Sequence, residues 1–293
     1  MSRRGWLLFS AMSVIWGIPY LLIKIAVTEL APATLVLARV LIAAVVLLPI
    51  TVRRRELVPV LRRWRPLLAY TAVELIVPWY FLAFAEQTLS SSLTGLLLAM
   101  VPLVSAILVI TTGDERLGVR RVFGLLLGFA GVVALVGIDL HGSLVAVGAV
   151  GIVAVGYALG PFILARHLSD LPELGVVAAS LVVSAAVYLP FGIAQAPAGM
   201  PSAPAIAAVV TLGVVCTALA FVLFFRLIAE VGPARATVIT YVNPAVALVL
   251  GVVVLGESFT VVTAIGFALI LIGSVLGTGR DRRRAETPVC AEP

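Results

Sequence analysis

Three charged side chains fall inside long apolar runs: Lys24, Arg39 and Glu74. A charge in hydrocarbon is costly, so each is a functional candidate by default. Lys24 lies near the outer end of its run, where its long stem can snorkel to the headgroups, and that is the favoured reading. Arg39 lies about 9 Å inside the outer end of the second run, at 1.5 Å rise per residue. It is deep enough to serve function, and binding helix-end carbonyls is the structural alternative. Glu74 lies about 10 Å from the inner end of the third run. A carboxylate there suits proton coupling or the binding of a cationic group, and pairing with a loop arginine is equally compatible. A second set is aromatic or amide: Trp16, Tyr20, Trp79, Tyr80, Tyr157, Tyr241 and Asn243. Interfacial belts would place such rings at helix ends, and most of these are not there. They can line a substrate cavity, offering π-faces and hydroxyls, with helix packing as the alternative. Asn243 is the sharper case, because an amide in lipid needs a partner.

Prolines and glycines come next. Pro19, Pro78, Pro102, Pro161 and Pro244 each remove a backbone hydrogen bond and mark bends or hinges. Gly124, Gly128, Gly131, Gly156 and Gly160 allow close helix approach, more readily within one chain than in a dimer. No nucleophile stands near a base, and no phosphate loop is present. His141 and His167 are spaced neither for a metal nor for a triad, and Cys216 and Cys290 make no disulfide framework. No catalytic residue, metal site or cofactor is expected, and the chain does not read as an enzyme.

The elements that must hold these groups follow from composition. The chain has 293 residues, 62% hydrophobic and 12% charged, with mean hydropathy +1.20. A soluble domain is about 45–50% apolar and about 25% charged, so a soluble protein, a disordered chain and a nucleic-acid-binding module are excluded. A β-barrel would alternate apolar and polar residues, which this chain does not. Apolar runs of helix length recur over 6–27, 33–52, 66–86, 93–112, 121–138, 144–165, 174–194, 203–225, 236–255 and 261–277. The fold class is all-α integral membrane, with ten transmembrane helices. The first run follows Arg3 and Arg4 without a convincing cleavage site and reads as an uncleaved helix. The longest connection, 53–65, is too short for a soluble domain. Residues 278–293 read as a disordered cytoplasmic tail.

Charge then fixes orientation. With ten helices and an inside N-terminus, eighteen of the twenty basic residues fall on the cytoplasmic side, and the outer loops hold none. Both termini are therefore expected in the cytoplasm. The chain also repeats itself. At an offset of 142, Pro102 matches Pro244, Glu115 matches Glu257, Gly124 matches Gly266 and Gly131 matches Gly273. Two five-helix halves, 6–138 and 144–277, result. Five is odd, so the second half must enter the membrane inverted, an architecture that transporters use around a midplane site.

Trp16-Gly17, Arg39, the Pro102 and Pro244 spans, Leu255-Gly256-Glu257 and the Gly-x6-Gly runs around Gly124 and Gly266 resemble the EamA family of the drug/metabolite transporter superfamily. The resemblance covers about 6–277. It implies ten helices in two inverted repeats and export or exchange of small metabolites such as amino acids. It also implies that the ring at Trp16 faces a central cavity. Gly113-Asp114-Glu115 departs from the usual Leu-Gly-Glu but keeps the Glu. The expected protein is a bacterial inner-membrane permease of small, amino-acid-like or drug-like solutes, working by alternating access. Its partners are the bilayer and a small-molecule substrate; a coupled proton and a homodimer are left open. The alternatives are a membrane-embedded enzyme, weakened by the lack of a catalytic cluster, and a membrane scaffold or sensor, weakened by the short loops.

Overall fold

The computed structural model describes residues 1–111, 118–138 and 144–278, and no strand occurs among them. Seven helices have the length and composition to cross a membrane: α1 (Arg3–Ala26), α2 (Pro32–Arg53), α3 (Trp64–Glu86), α4 (Ser91–Leu98, resuming as Val101–Thr111), α6 (Leu144–His167), α7 (Glu173–Ala194) and α8 (Ala203–Val231). Three helices with shorter apolar stretches pack with them: α5 (Val119–Ile138, apolar over Val122–Gly137), α9 (Ile239–Leu255) and α10 (Val261–Thr278, apolar over Val261–Gly277). The described part of each sequence-expected run falls mainly on one of these helices. Val45, Leu126, Phe129 and Val253 are largely exposed, as side chains facing lipid should be.

Proline and glycine punctuate the helices. The first segment of α1 ends at Ile15 and the second starts on Pro19, where the missing N–H is harmless. Gly17 sits in the break, and a Cβ there would lie 2.5 Å from Val246 on α9. In α3 the hydrogen-bond ladder widens to a π turn over Ala72–Ile76, just before Pro78. A second π turn, Val214–Leu219, interrupts α8. The two begin 142 residues apart, the offset at which the sequence repeats.

Two expectations need correction. The 53–65 connection is not a plain loop but holds a short helix, Leu57–Arg62, pinned by the fully buried Val60. Arg226, placed by the charge pattern in a loop, lies within α8, which runs on to Val231 and stops at Gly232 with φ 83°. Glu115, Asp139, His141, Cys290 and the tail 279–293 lie outside the described residues.

The helices pair across the two halves: α1 on α8, α2 on α7, α3 on α6, α4 on α9 and α5 on α10. Exchanging every helix for its counterpart five places along leaves this set unchanged. The α5–α10 contact is a glycine interface. A Cβ on Gly273 would lie 2.4 Å from the Gly128 nitrogen, and one on Gly131 would lie 2.6 Å from the Gly266 oxygen. Only hydrogen side chains permit such backbone contact.

Candidate functional site

Arg39 on α2 is buried among α3 and α8. Its Nε donates to Thr217 Oγ1 at 2.9 Å, and its guanidinium lies 3.8 Å from the ring centroid of Trp79 on α3. Thr217 owes its position to the α8 π turn, across which its hydroxyl donates to the Leu212 carbonyl at 2.7 Å. Its oxygen is thus free to accept from Arg39. Tyr157 on α6, Cys216 on α8 and Tyr20 on α1 are the electrostatic neighbours of the guanidinium. Tyr157 is also hydrogen-bonded by Trp79. No carboxylate pairs with Arg39 among the described residues. The cation is therefore held by one neutral oxygen and one aromatic face, with five helices from both halves around it. Arg39 and Trp79 are each only 6% exposed, so this conformation is closed over the group.

Glu74 stands in the α3 π turn, one helical turn before Pro78. Its Oε2 is buried with no hydrogen-bond partner. The alternative of a pairing with a loop arginine is not met among the described residues. The carboxylate lies against Gly160 of α6: a Cβ there would fall 1.8 Å from Oε2, and one on Gly156 would fall 2.5 Å from the Val73 oxygen. So the two α6 glycines make room for the widened turn and its carboxylate. Tyr157, one residue after Gly156, is influenced by both Glu74 and Arg39.

The ends of α3, α4 and α9 form a second polar group. Lys24 does not project away from the bundle. Its ammonium donates to the carbonyls of Glu86 and Leu89, both at 2.7 Å, capping the end of α3. Beside it, the fully buried Glu86 has no donor on either carboxylate oxygen. Glu257 folds back after Gly256, whose φ of 67° ends α9, and accepts from the backbone N–H groups of Ser91 and Ser92 at 2.7 and 2.8 Å. Ser91 Oγ adds a third bond at 3.0 Å. Burial works against the charge, but the bonds from Ser92 and Ser91 outweigh it and hold this carboxyl below its ordinary range. The Leu255-Gly256-Glu257 sequence is thereby explained: glycine turns the chain, and glutamate caps the neighbouring helix.

The other sequence candidates sit elsewhere. Trp16 packs on Phe221 and Phe224 of α8, with centroids 5.9 and 4.6 Å away. Tyr80 meets Phe81 edge-on and stacks on Tyr188 of α7. Asn243, with its amide turned to satisfy its neighbours, donates to the Ile239 carbonyl at 2.9 Å and the Ser13 carbonyl at 3.1 Å. It ties α9 to α1. Tyr241 is half-buried two residues earlier on α9. So Arg39, Trp79, Tyr157, Tyr20 and Glu74 come together, while Trp16, Tyr80, Asn243 and Lys24 do not join them. Sequence reasoning missed Thr217, Cys216 and Glu86. One signal for the α8 pair was present: the repeat offset sets Cys216 on Glu74.

Comparison with known proteins agrees with this architecture. The profile of the EamA-like transporter family matches residues 3–137 and again 144–278. The inner membrane transporter YedA of Escherichia coli K12, itself uncharacterized, is 30% identical, with 92% of this chain and 88% of YedA aligned. The uncharacterized transporter YvbV of Bacillus subtilis is 25% identical over 92% of this chain and 90% of its own. A protein solved by crystallography superposes with a TM-score of 0.67 over 95% of this chain and 97% of its own, at 24% identity, and shares the fold.

Proposed function

We propose, since the chain belongs to the EamA-like transporter family, that this membrane transporter is a secondary carrier of ten spans in two inverted halves, 6–138 and 144–277. The self-consistent helix pairing and the matching π turns support that arrangement. The charge bias supports cytoplasmic termini in a bacterial inner membrane. The carrier works by alternating access, and its energy comes from a solute or proton gradient.

The observation that carries the substrate reading is the buried, unpaired guanidinium of Arg39. A buried charge without a counter-ion is strongly unfavourable, and an anionic solute would supply the missing partner. A planar carboxylate fits the free edge of a guanidinium with two parallel bonds. The face of Trp79 and the hydroxyls of Tyr20 and Tyr157 then contact the rest of the solute. Glu74 supplies a second pole, suited to an amine or a coupled proton. This favours an amino-acid-like metabolite over a neutral drug, which would leave the guanidinium unpaired.

The reading is tested by comparing metabolites in cells lacking and overproducing the chain. An exporter lowers the internal level of a carboxylate-bearing solute, raises it in the medium and confers resistance to a toxic analogue. Unchanged profiles in cells that insert the chain into the membrane would contradict it.

A further inference from the structure

Six arginines lie between the last residue of α2 and the first turn of α3, and they are not equivalent. Arg63 is engaged by Asp170, with both guanidinium nitrogens at 2.7 Å from its two oxygens, and also reaches the His167 carbonyl. Arg54 lies 3.8 Å from Glu56. Arg65 lies over the Trp64 ring at 5.3 Å. Arg55 and Arg62, by contrast, have no side-chain partner among the described residues, and both line a cavity of about 610 Å³. The rest of its wall is mostly apolar: Val52, Leu57, Val58 and Pro59.

Two further observations say what could fill it. Arg55 occupies the left-handed backbone region, with φ 58°, just past the last turn of α2. Glycine takes that conformation at lower cost, so a large side chain there is held against a backbone preference. Next, the surroundings are apolar and open. Val52, Val58, Leu61 and Trp64 are each more than half exposed. Tryptophan gathers at headgroup depth, which sets Trp64 and the neighbouring cavity at the boundary between acyl chains and water.

We propose that this cavity binds one anionic phospholipid, its phosphate between Arg55 and Arg62 and its chains along Val52 and Val58. The charge complementarity is direct: two unpaired cations face the cavity, with no acid in its lining. The buried Val60 anchors the short helix Leu57–Arg62, and Gly175 at the start of α7 packs against Glu56, so the segment that carries most of the cavity wall is held to the bundle. A bound lipid would clamp the α2–α3 connection to the bilayer. The site does not depend on what the protein transports.

The test titrates the purified full chain in detergent with phosphatidylglycerol, phosphatidylcholine or inorganic phosphate, reading bound lipid by native mass spectrometry. Each of the two guanidiniums lining the cavity is expected to contribute about a fivefold preference for an anionic headgroup seated there. An Arg55→Gln/Arg62→Gln variant is thus expected to lose roughly thirtyfold in phosphatidylglycerol affinity. Arg53→Gln, outside the cavity lining, keeps the wild-type affinity and serves as the control. Binding of phosphatidylglycerol by the double variant as tightly as by wild type would overturn the proposal. So would equal affinity for phosphatidylcholine, which would make the wall alone responsible, or competition by inorganic phosphate at matching concentration, which would make it a soluble-anion site.

Discussion

Arg39 is buried beside Trp79 and Thr217 with no acid to balance it among the described residues, so one hydroxyl and one aromatic face offset only part of its lost hydration. Glu74 is the complementary case, a carboxylate oxygen in the same bundle without a donor. If Glu74 carries the coupled proton, Glu74→Gln keeps solute binding but makes transport in proteoliposomes independent of pH. Unchanged rate and pH dependence would end that role. These residues were legible in the sequence because charge inside an apolar run is rare. Glu86 was not, since it is the last residue of its run, where a charge is commonplace. Thr217 and Cys216 were not either, because small, weakly polar side chains leave no trace in a hydropathy pattern. Residue type also failed to sort the aromatics: Trp16 and Trp79 look alike in sequence, yet one packs on phenylalanines and the other on a guanidinium.

At the scale of elements, two contacts set the geometry. The Glu257 clasp joins the end of α9 to the start of α4, and Gly251 leaves it room: a Cβ there would lie 2.3 Å from Glu257 Oε2. A carboxyl whose folded value is depressed contributes stability that is complete above its ordinary value, 4.5, and lost as pH falls through the depressed one. Because the carboxylate is only half-buried and screened by solvent, Glu257→Gln should lower stability by about 0.5–1.5 kcal/mol at neutral pH. It should also shrink the acid-side fall of the thermal midpoint relative to wild type. The α5–α10 glycines make the second contact. Gly273→Ala places a methyl against the backbone of Gly128, and overpacking of about 1–3 kcal/mol should appear as a lower thermal midpoint. Helix positions were legible from apolar runs, and the breaks at Pro19 and Pro78 from proline itself. The α8 π turn has no proline to announce it, and Leu57–Arg62, at six residues, is too short to show periodicity.

For the whole molecule, the repeat joins sequence to architecture. The 142-residue offset, the paired π turns and the cross-half helix contacts all describe one relation between two halves. The polar group around Arg39 draws on α1, α2 and α3 from one half and α6 and α8 from the other. In the proposed carrier, relative motion of the halves would open that group to either side. The most direct test is the metabolite comparison repeated with Arg39→Gln made at wild-type level in the membrane. Wild type should move a carboxylate-bearing solute out of the cell. Arg39→Gln should lose at least about tenfold of that flux, the worth of a charged hydrogen bond, and Arg39→Lys should restore part of it. Export by Arg39→Gln at the wild-type rate, or a solute with no anionic group, would contradict the account.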